Sequence, residues 1–344
     1  MRILVVGAGL AGATLAWRLH EAGAEVVVVG TTEAHGDATA ASGGLVRAFE
    51  TEPHAATLAA ESLAELLSGD PDLRASAGYQ QTGSLYVLPS GSVPPVAMPT
   101  AGRLMSGAEV ERRFGLTGLP AGAIAVWEPD GGYIDVDRLR CHALGKVRHL
   151  IAEPAARLID GGVVLSDGRI VCADAVVLAA GAWTPGLLRA NGLPAPQRTK
   201  HIQYASYAVA RPVPAFVDET TGLYGRPDGP GRMLLGLPSD RWDVSPGTPA
   251  VDARLEASVR RVAASRGIRA RRSPGTPVSA VDCCTEPPRL ALRPIAGSVH
   301  TFTGGSGGAA KAALAASRRA ASDLLDPVRV SPRRAVHDLD GGSA

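Results

Sequence analysis

Arg2-Ile-Leu-Val-Val-Gly-Ala-Gly-Leu-Ala-Gly12 decides the fold. Residues 2–6 are a short, continuously apolar, β-branched run, which predicts a strand buried on both faces. A Gly-x-Gly-x-x-Gly turn follows at once, and residues 13–22 read as a helix with Leu15, Ala16 and Leu19 on one face and Gly23 at its end. Residues 25–29 repeat the buried-strand pattern, so the first thirty residues predict a βαβ unit. In that context each glycine has a task. Gly7 allows the tight turn, Gly9 lets the backbone approach a pyrophosphate, and Gly12 lets the helix pack close to the strand. The helix start then offers free N–H groups and a partial positive charge to phosphates. One expected feature is missing: Gly30 stands where an acidic residue normally holds the ribose hydroxyls. Either Thr31, Thr32 or Glu33 takes over that role or the dinucleotide is held less tightly, and the threonines could instead favour a 2′-phosphate, which leaves NADP open.

Outward from this unit the pattern alternates. A helix is predicted over residues 55–67, β hairpins and loops over 79–128 with a Pro-rich stretch at 89–99, and a helix over 136–150. Residues 161–168 read as a hairpin turn and 175–179 as another buried strand. Residues 196–280 favour strands and turns around one amphipathic helix at 250–266. The chain then returns to strand (299–303), glycine turn (304–308) and helix (309–325). These segments predict an α/β protein: a Rossmann-type dinucleotide domain of residues 1–78, 129–195 and 281–325, with a β-rich substrate domain inserted as 79–128 and 196–280. Residues 326–344 read as a flexible polar tail.

Composition narrows the function classes. The 344 residues are 45% hydrophobic and 20% charged with a net charge of +2, which gives no reason to expect a nucleic-acid or membrane partner. No apolar run approaches the ~18 residues of a membrane span. Strand-like sequence from Arg2 leaves no room for a secretory leader, so a cytoplasmic location is expected. The four cysteines lack a CxxC spacing and the eight histidines lack an HExxH pattern, so neither a disulfide scaffold nor a metal site is expected. Lysine is scarce: only Lys146, Lys200 and Lys311 occur against 32 arginines, a bias of the GC-rich kind.

Four elements in the same order carry a resemblance. They are the dinucleotide start, Gly132-Tyr-Ile-Asp-Val-Asp-Arg-Leu139, Ala173-Asp-Ala-Val-Val-Leu-Ala-Ala-Gly-Ala-Trp-Thr184, and the final strand, glycine turn and helix. Together they resemble the FAD-dependent D-amino acid oxidase/sarcosine oxidase/glycine oxidase superfamily. The resemblance implies FAD bound by Gly7, Gly9, Gly12, Thr31, Thr32, Ser42, Gly43, Gly181, Trp183, Gly305, Gly307 and Gly308, with the β-rich insertions over the flavin. Leu45-Val-Arg47-Ala-Phe49 is similar to the sarcosine oxidase segment whose arginine binds the substrate carboxylate. Thr303-Gly-Gly-Ser-Gly-Gly-Ala-Ala-Lys311 is similar to the segment whose lysine adds a second contact. A forked guanidinium and an ammonium converging on one site favour a carboxylate. Tyr224 lies where that branch has an active-site tyrosine.

The resemblance implies oxidation of the C–N bond of an amino acid or N-substituted amino acid. Hydride passes to flavin N5, an imine forms, and O2 or another acceptor reoxidises the flavin. The helix after Gly308 would support negative charge on the reduced ring. Two departures stand out. The lysine that promotes reaction with oxygen has no counterpart in Arg232-Met-Leu-Leu-Gly236, and Cys283 and Cys284 miss the position of a covalent flavin link by one residue. Non-covalent FAD and buried, inert thiols are therefore expected. The low aromatic content, 4%, favours an aliphatic substrate. Two other readings stay open: an NADP-dependent reductase on the same Rossmann start, and a serine hydrolase whose Gly304-Gly-Ser306-Gly-Gly308 matches G-x-S-x-G. The hydrolase needs a later histidine, and only His337 qualifies.

Overall fold

The computed structural model describes residues 1–31, 37–92, 98–272 and 277–326. The buried run Arg2–Val6 lies at the heart of a six-stranded sheet, between Ala175–Leu178 and Glu25–Val29 and parallel to both. Val299–Thr303 and the antiparallel Ala291–Ala296 complete one side, and His149–Ile151 the other. Strands of this kind need cover on both faces. Leu10–Glu21, Pro53–Ser68, Val136–Gly145 and Ala309–Leu325 pack on one face around Ile3, Val5, Leu15, Leu19 and Phe302. On the other face an antiparallel meander, Ala155–Ile159, Gly162–Leu165 and Ile170–Cys172, buries Val163 and Leu165 against Leu4, Val6, Val27 and Leu178.

The second layer system is a nine-stranded sheet drawn from two stretches of chain. Ser84–Leu88, Arg103–Ser106 and Ile124–Glu128 form one half, joined to the other where Ser84–Leu88 runs parallel to Ala215–Asp218. Helices Gly107–Phe114 and Ala253–Ser265 close its core around Phe216, Met233 and Tyr207. Beneath it the buried Asp218 carboxylate pairs with Arg266 at 2.8 Å and also takes hydrogen bonds from Thr220 and Thr221.

Several elements differ from the sequence-based expectation, each for a local reason. The helix expected over 136–150 stops at Gly145, and His149–Ile151 becomes an edge strand beside Glu25–Val29. Residues 161–168 are not a single turn: Gly162–Leu165 is itself a strand, paired on both sides between turns. Gly107–Phe114 adds a helix within the expected hairpins, announced by a capping box in which Ser106 and Glu109 bond reciprocally to backbone N–H groups. Val278–Cys284 crosses the expected domain boundary at 281. It pairs with Arg198–Ala208 along its whole length, so Asp282, Cys283 and Cys284 stand in the large sheet. Residues 93–97 of the Pro-rich stretch and the tail beyond Asp326 lie outside the described residues. Among the described residues, no helix is long and apolar enough to cross a membrane.

Candidate active site

The two sheets enclose a cleft of about 1130 Å³ that runs from the first glycine turn to the start of the last helix. Gly7 takes φ +121°, and a Cβ there would come within 2.4 Å of the Ala179 carbonyl oxygen. A Cβ on Gly12 would lie 1.9 Å from the Gly7 oxygen, so the helix sits on the turn as closely as backbone allows. Gly12 does not line the cleft. Gly7 and Gly9 do, and at Gly9 a Cβ would meet only the Thr39 hydroxyl, at 3.0 Å. The helix begins at Leu10 with no side-chain cap on Gly9. Leu10 and Ala11 of its first turn line the cleft, and the Leu10 N–H donates to Thr39 Oγ1 at 3.0 Å. These are the features a pyrophosphate needs, and the three glycines hold the positions the motif requires.

Gly30 is more than a missing acid. It adopts φ +154°, and a Cβ there would be 2.9 Å from the Ala8 nitrogen. The second strand thus ends too close to the glycine turn for any side chain. Thr31 lines the cleft, as do Asp37 and Thr39, while Thr32 and Glu33 lie outside the described residues. Ser42 and Gly43 follow along the wall, the loop fixed by Arg226 donating to the Gly43 carbonyl at 2.7 Å.

Gly181 and Trp183 reach the cleft from the short turn after Ala175–Leu178, and Trp183 remains 43% exposed. Gly305, Ser306 and Gly307 border it from the last turn, where Ser306 takes φ +48°. Gly308 does not line it; this residue caps the final helix, and a Cβ there would meet Lys311 Nζ at 3.3 Å. Of the two cysteines only Cys283 lines the cleft, and burial pushes its thiol up to about 12. Ser306 hydrogen-bonds the Asp282 carboxyl. The buried His201 is engaged by Ser239 and Ser279 instead, at 3.0 Å each, so it does not serve Ser306 as a base.

Arg47 and Lys311 come together at the far end. Leu45–Val46 pairs with Gly132–Tyr133, and Glu128 accepts from the Ala48 N–H at 2.8 Å and from the Phe49 N–H, which sets the backbone that carries Arg47. Lys311 sits in the first turn of Ala309–Leu325, where the helix dipole disfavours a cation. Both cations line the cleft and both pair with one buried oxygen, Glu50 Oε1, at 2.6 Å from Arg47 Nη2 and 2.8 Å from Lys311 Nζ. Burial pushes the Glu50 carboxyl up, but Arg47 and Lys311 outweigh it and hold the group below its ordinary range. Burial draws the Lys311 ammonium down, against the pull of Glu50. The Arg47 guanidinium lies 4.7 Å from the centre of the Tyr86 ring, and its Nε donates to the Phe49 carbonyl at 3.0 Å.

Tyr224 lines the same space. Its hydroxyl donates to the Gln203 carbonyl at 3.3 Å, and burial raises the phenol, which stays protonated. The strand Arg232–Gly236 contributes no lysine, yet Lys200 lines the cleft from Arg198–Ala208. Its Nζ lies 4.7 Å from the Trp242 ring centre, and in the sheet register it stands opposite Asp282. Glu50, Tyr86, Lys200, Glu219 and Asp282 were not singled out by sequence reasoning. The lysine scarcity that marks Lys311 marks Lys200 equally, and Asp282 is the lone acid in an otherwise uncharged strand.

Comparison with known proteins bears on this geometry. The FAD dependent oxidoreductase (DAO) family model matches residues 2–322. A search of curated protein sequences gave no match. Among solved structures, L-proline dehydrogenase from P. horikoshii superposes with a TM-score of 0.76 at 18% identity, covering 94% of this chain and 93% of its own. NikD, described as an unusual amino acid oxidase essential for nikkomycin biosynthesis, gives 0.74 at 20% identity over 96% and 95%. Iminodiacetate oxidase from Chelativorans sp. BNC1 gives 0.69 at 21% over 97% and 98%. At these identities the superpositions speak for the fold, and it is the family model that sets aside the NADP reductase and the serine hydrolase. Because that match takes in both the glycine turn and the helix of Lys311, the chain belongs to the FAD-dependent oxidoreductase (DAO) family.

Proposed function

We propose that the protein oxidises the C–N bond of a small amino acid or N-substituted amino acid, with the substrate carboxylate held by Arg47 and Lys311. The observation that supports this is their meeting: two cations from distant parts of the chain line one end of the cleft and converge on a single oxygen. A guanidinium and an ammonium so placed match a carboxylate.

The residues fit FAD. The uncapped helix start and Gly9 would take the pyrophosphate, Thr31 and Asp37 lie along the wall beyond Gly30, and Gly181, Trp183, Gly305 and Gly307 border the middle of the cleft. When bound, FAD supplies the two-electron acceptor for the C–H bond next to nitrogen. The chain itself supplies position. Arg47 and Lys311 fix one end of the substrate, and such orientation can contribute much of a rate enhancement. Tyr224 and other residues of the large sheet line the cleft opposite the glycine turns. The imine product hydrolyses without a nucleophile from the protein. The protonated Cys283 thiol favours FAD held without a covalent bond, so acid precipitation should leave the yellow colour in solution.

Anaerobic mixing with primary, N-methyl and cyclic amino acids tests the reading. At least one should bleach the flavin bands, and Arg47→Ala should raise KM at least tenfold with a smaller change in kcat. No bleaching by any of them, or an unchanged KM in the variant, removes it. Peroxide formation under air separates O2 from another terminal acceptor.

A further inference from the structure

Glu50 does not border the cleft; it lies behind Arg47 and Lys311, which do. Its Oε1 is enclosed, and both cations approach it within ion-pair distance, though neither in good hydrogen-bond geometry. Without it, two buried positive groups would face each other at the start of a helix, where the dipole adds a third positive contribution. Burial draws the Lys311 ammonium down and Arg47 adds to that, while Glu50 supports it. A flexible lysine with no fixed partner samples many positions, whereas one tied to the carboxylate that also holds Arg47 does not. Other contacts of Arg47 restrict it further: Nε is spent on the Phe49 carbonyl and one face on Tyr86. Glu128, another acid facing Arg47, already accepts from the Ala48 and Phe49 N–H groups. Glu50 is thus the acid that pairs with both cations.

We infer that Glu50 is the positioning residue of this anion subsite: it joins Arg47 and Lys311 into one unit and removes one positive charge, so the unit takes a single carboxylate and discriminates against dianions. The inference rests on the proposed role of the pair in substrate binding and deepens it. The substrate class becomes an amine with one carboxylate at this pole. A dianion would bring in a charge with no cation left to meet it, and leaving a buried charge unpaired is strongly unfavourable.

Propanoate and malonate differ in this pole by one charge at similar size, which makes them suitable probes. Titrated into the FAD-loaded protein at pH 8 and followed by the flavin absorption bands, propanoate should bind at least tenfold more tightly than malonate. Glu50→Gln keeps the shape and removes the charge, so the ratio should move at least tenfold toward malonate. Glu50→Asp keeps the charge and shortens the reach, so both anions should weaken while the ratio holds. Malonate binding as tightly as propanoate to the unaltered protein overturns the inference whatever the variants do. So does a Glu50→Gln protein in which both anions weaken alike, the result of a purely structural role. The failures of the two readings are distinct. A protein that amines reduce but neither anion binds loses the subsite and Glu50's role while keeping the reaction. One that binds propanoate selectively but is reduced by no amine loses the reaction and keeps the subsite.

Discussion

Restoring the acid that the dinucleotide motif lacks should harm this protein. Sequence logic suggests that Gly30→Asp would supply a ribose ligand and tighten FAD. The backbone argues otherwise. At φ +154° a side chain is strained, costing on the order of 1–3 kcal/mol by itself. The Cβ would also stand 2.9 Å from the Ala8 nitrogen and 3.3 Å from the Gly7 Cα, so the glycine turn must move. On the proposed reading that turn also cradles the phosphates, so strain relieved by shifting Ala8 should cost cofactor affinity. The apoprotein should lose about 1–2 °C of melting temperature per kcal/mol of strain, as the unfolding entropy of a 344-residue chain implies, and FAD should bind at least tenfold more weakly, the equivalent of about 1.4 kcal/mol. Thermal melting of the apoprotein and quenching of FAD fluorescence on titration measure both. Gly30→Ala is the control: it has the strain without the carboxylate and should lose nearly as much. Tighter FAD binding in Gly30→Asp, or an unperturbed Gly30→Ala, would refute the reasoning.

Three further outcomes follow from the same coordinates. Gly9 has an extended backbone that alanine accepts, so Gly9→Ala should leave apoprotein stability within about 1 kcal/mol while weakening FAD at least tenfold; Gly12→Ala, 1.9 Å from the Gly7 oxygen, should damage folding as well, and equal melting temperatures for the two would contradict this. Burial raises Asp282 from 3.8 to about 6, so the folded apoprotein binds that proton more tightly than the unfolded chain, and the residue costs stability fully above pH 6 and not at all below about pH 4. Asp282→Asn should therefore stabilise by about 3 kcal/mol at pH 8, with the gain shrinking by about 1.4 kcal/mol per pH unit below 6, and a pH-independent gain in urea melts would exclude the linkage. Asp218→Asn breaks a buried ion pair and leaves Arg266 uncompensated, which should cost about 3–5 kcal/mol in the same melts, and a loss below 1 kcal/mol would show the pair to be dispensable.

The legible part of the fold was the part built from contiguous sequence. Arg2–Val6, its glycine turn and its helix are adjacent in the chain, and each local signal agrees with the others. The last helix fell on 309–325 as read, because an Ala-rich run between a glycine turn and a polar tail admits no other period. Short elements were lost where a strand is only three or four residues long. His149–Ile151 and Gly162–Leu165 carry too few residues to show a period of two, and they are strands because partners in the sheets complete them. The helix Gly107–Phe114 was different: its Ser-x-x-Glu start was readable and its apolar content too slight to draw attention.

The same distinction divides the two ends of the cleft. One end is built on backbone, and glycines announce where backbone must come close, so the tight approach at Gly7 and Gly12 can be read from spacing alone. The other end is built from side chains of segments that meet only in three dimensions. Arg47 and Lys311 became visible through resemblance and through the rarity of lysine, but neither clue points to a third member. Glu50 follows Arg47 closely in sequence with nothing beside it to single it out; only the arrival of Lys311 from the far end of the chain turns it into a shared counter-ion. Lys200 shows the limit of the rarity argument. It is as unusual in composition as Lys311 and also borders the cleft, yet it faces Trp242 and Asp282 on a different wall. Rarity draws the eye to a lysine, and geometry then says what it does: at Lys311 the ammonium shares one Glu50 oxygen with a guanidinium, whereas Lys200 stacks its ammonium over an indole ring.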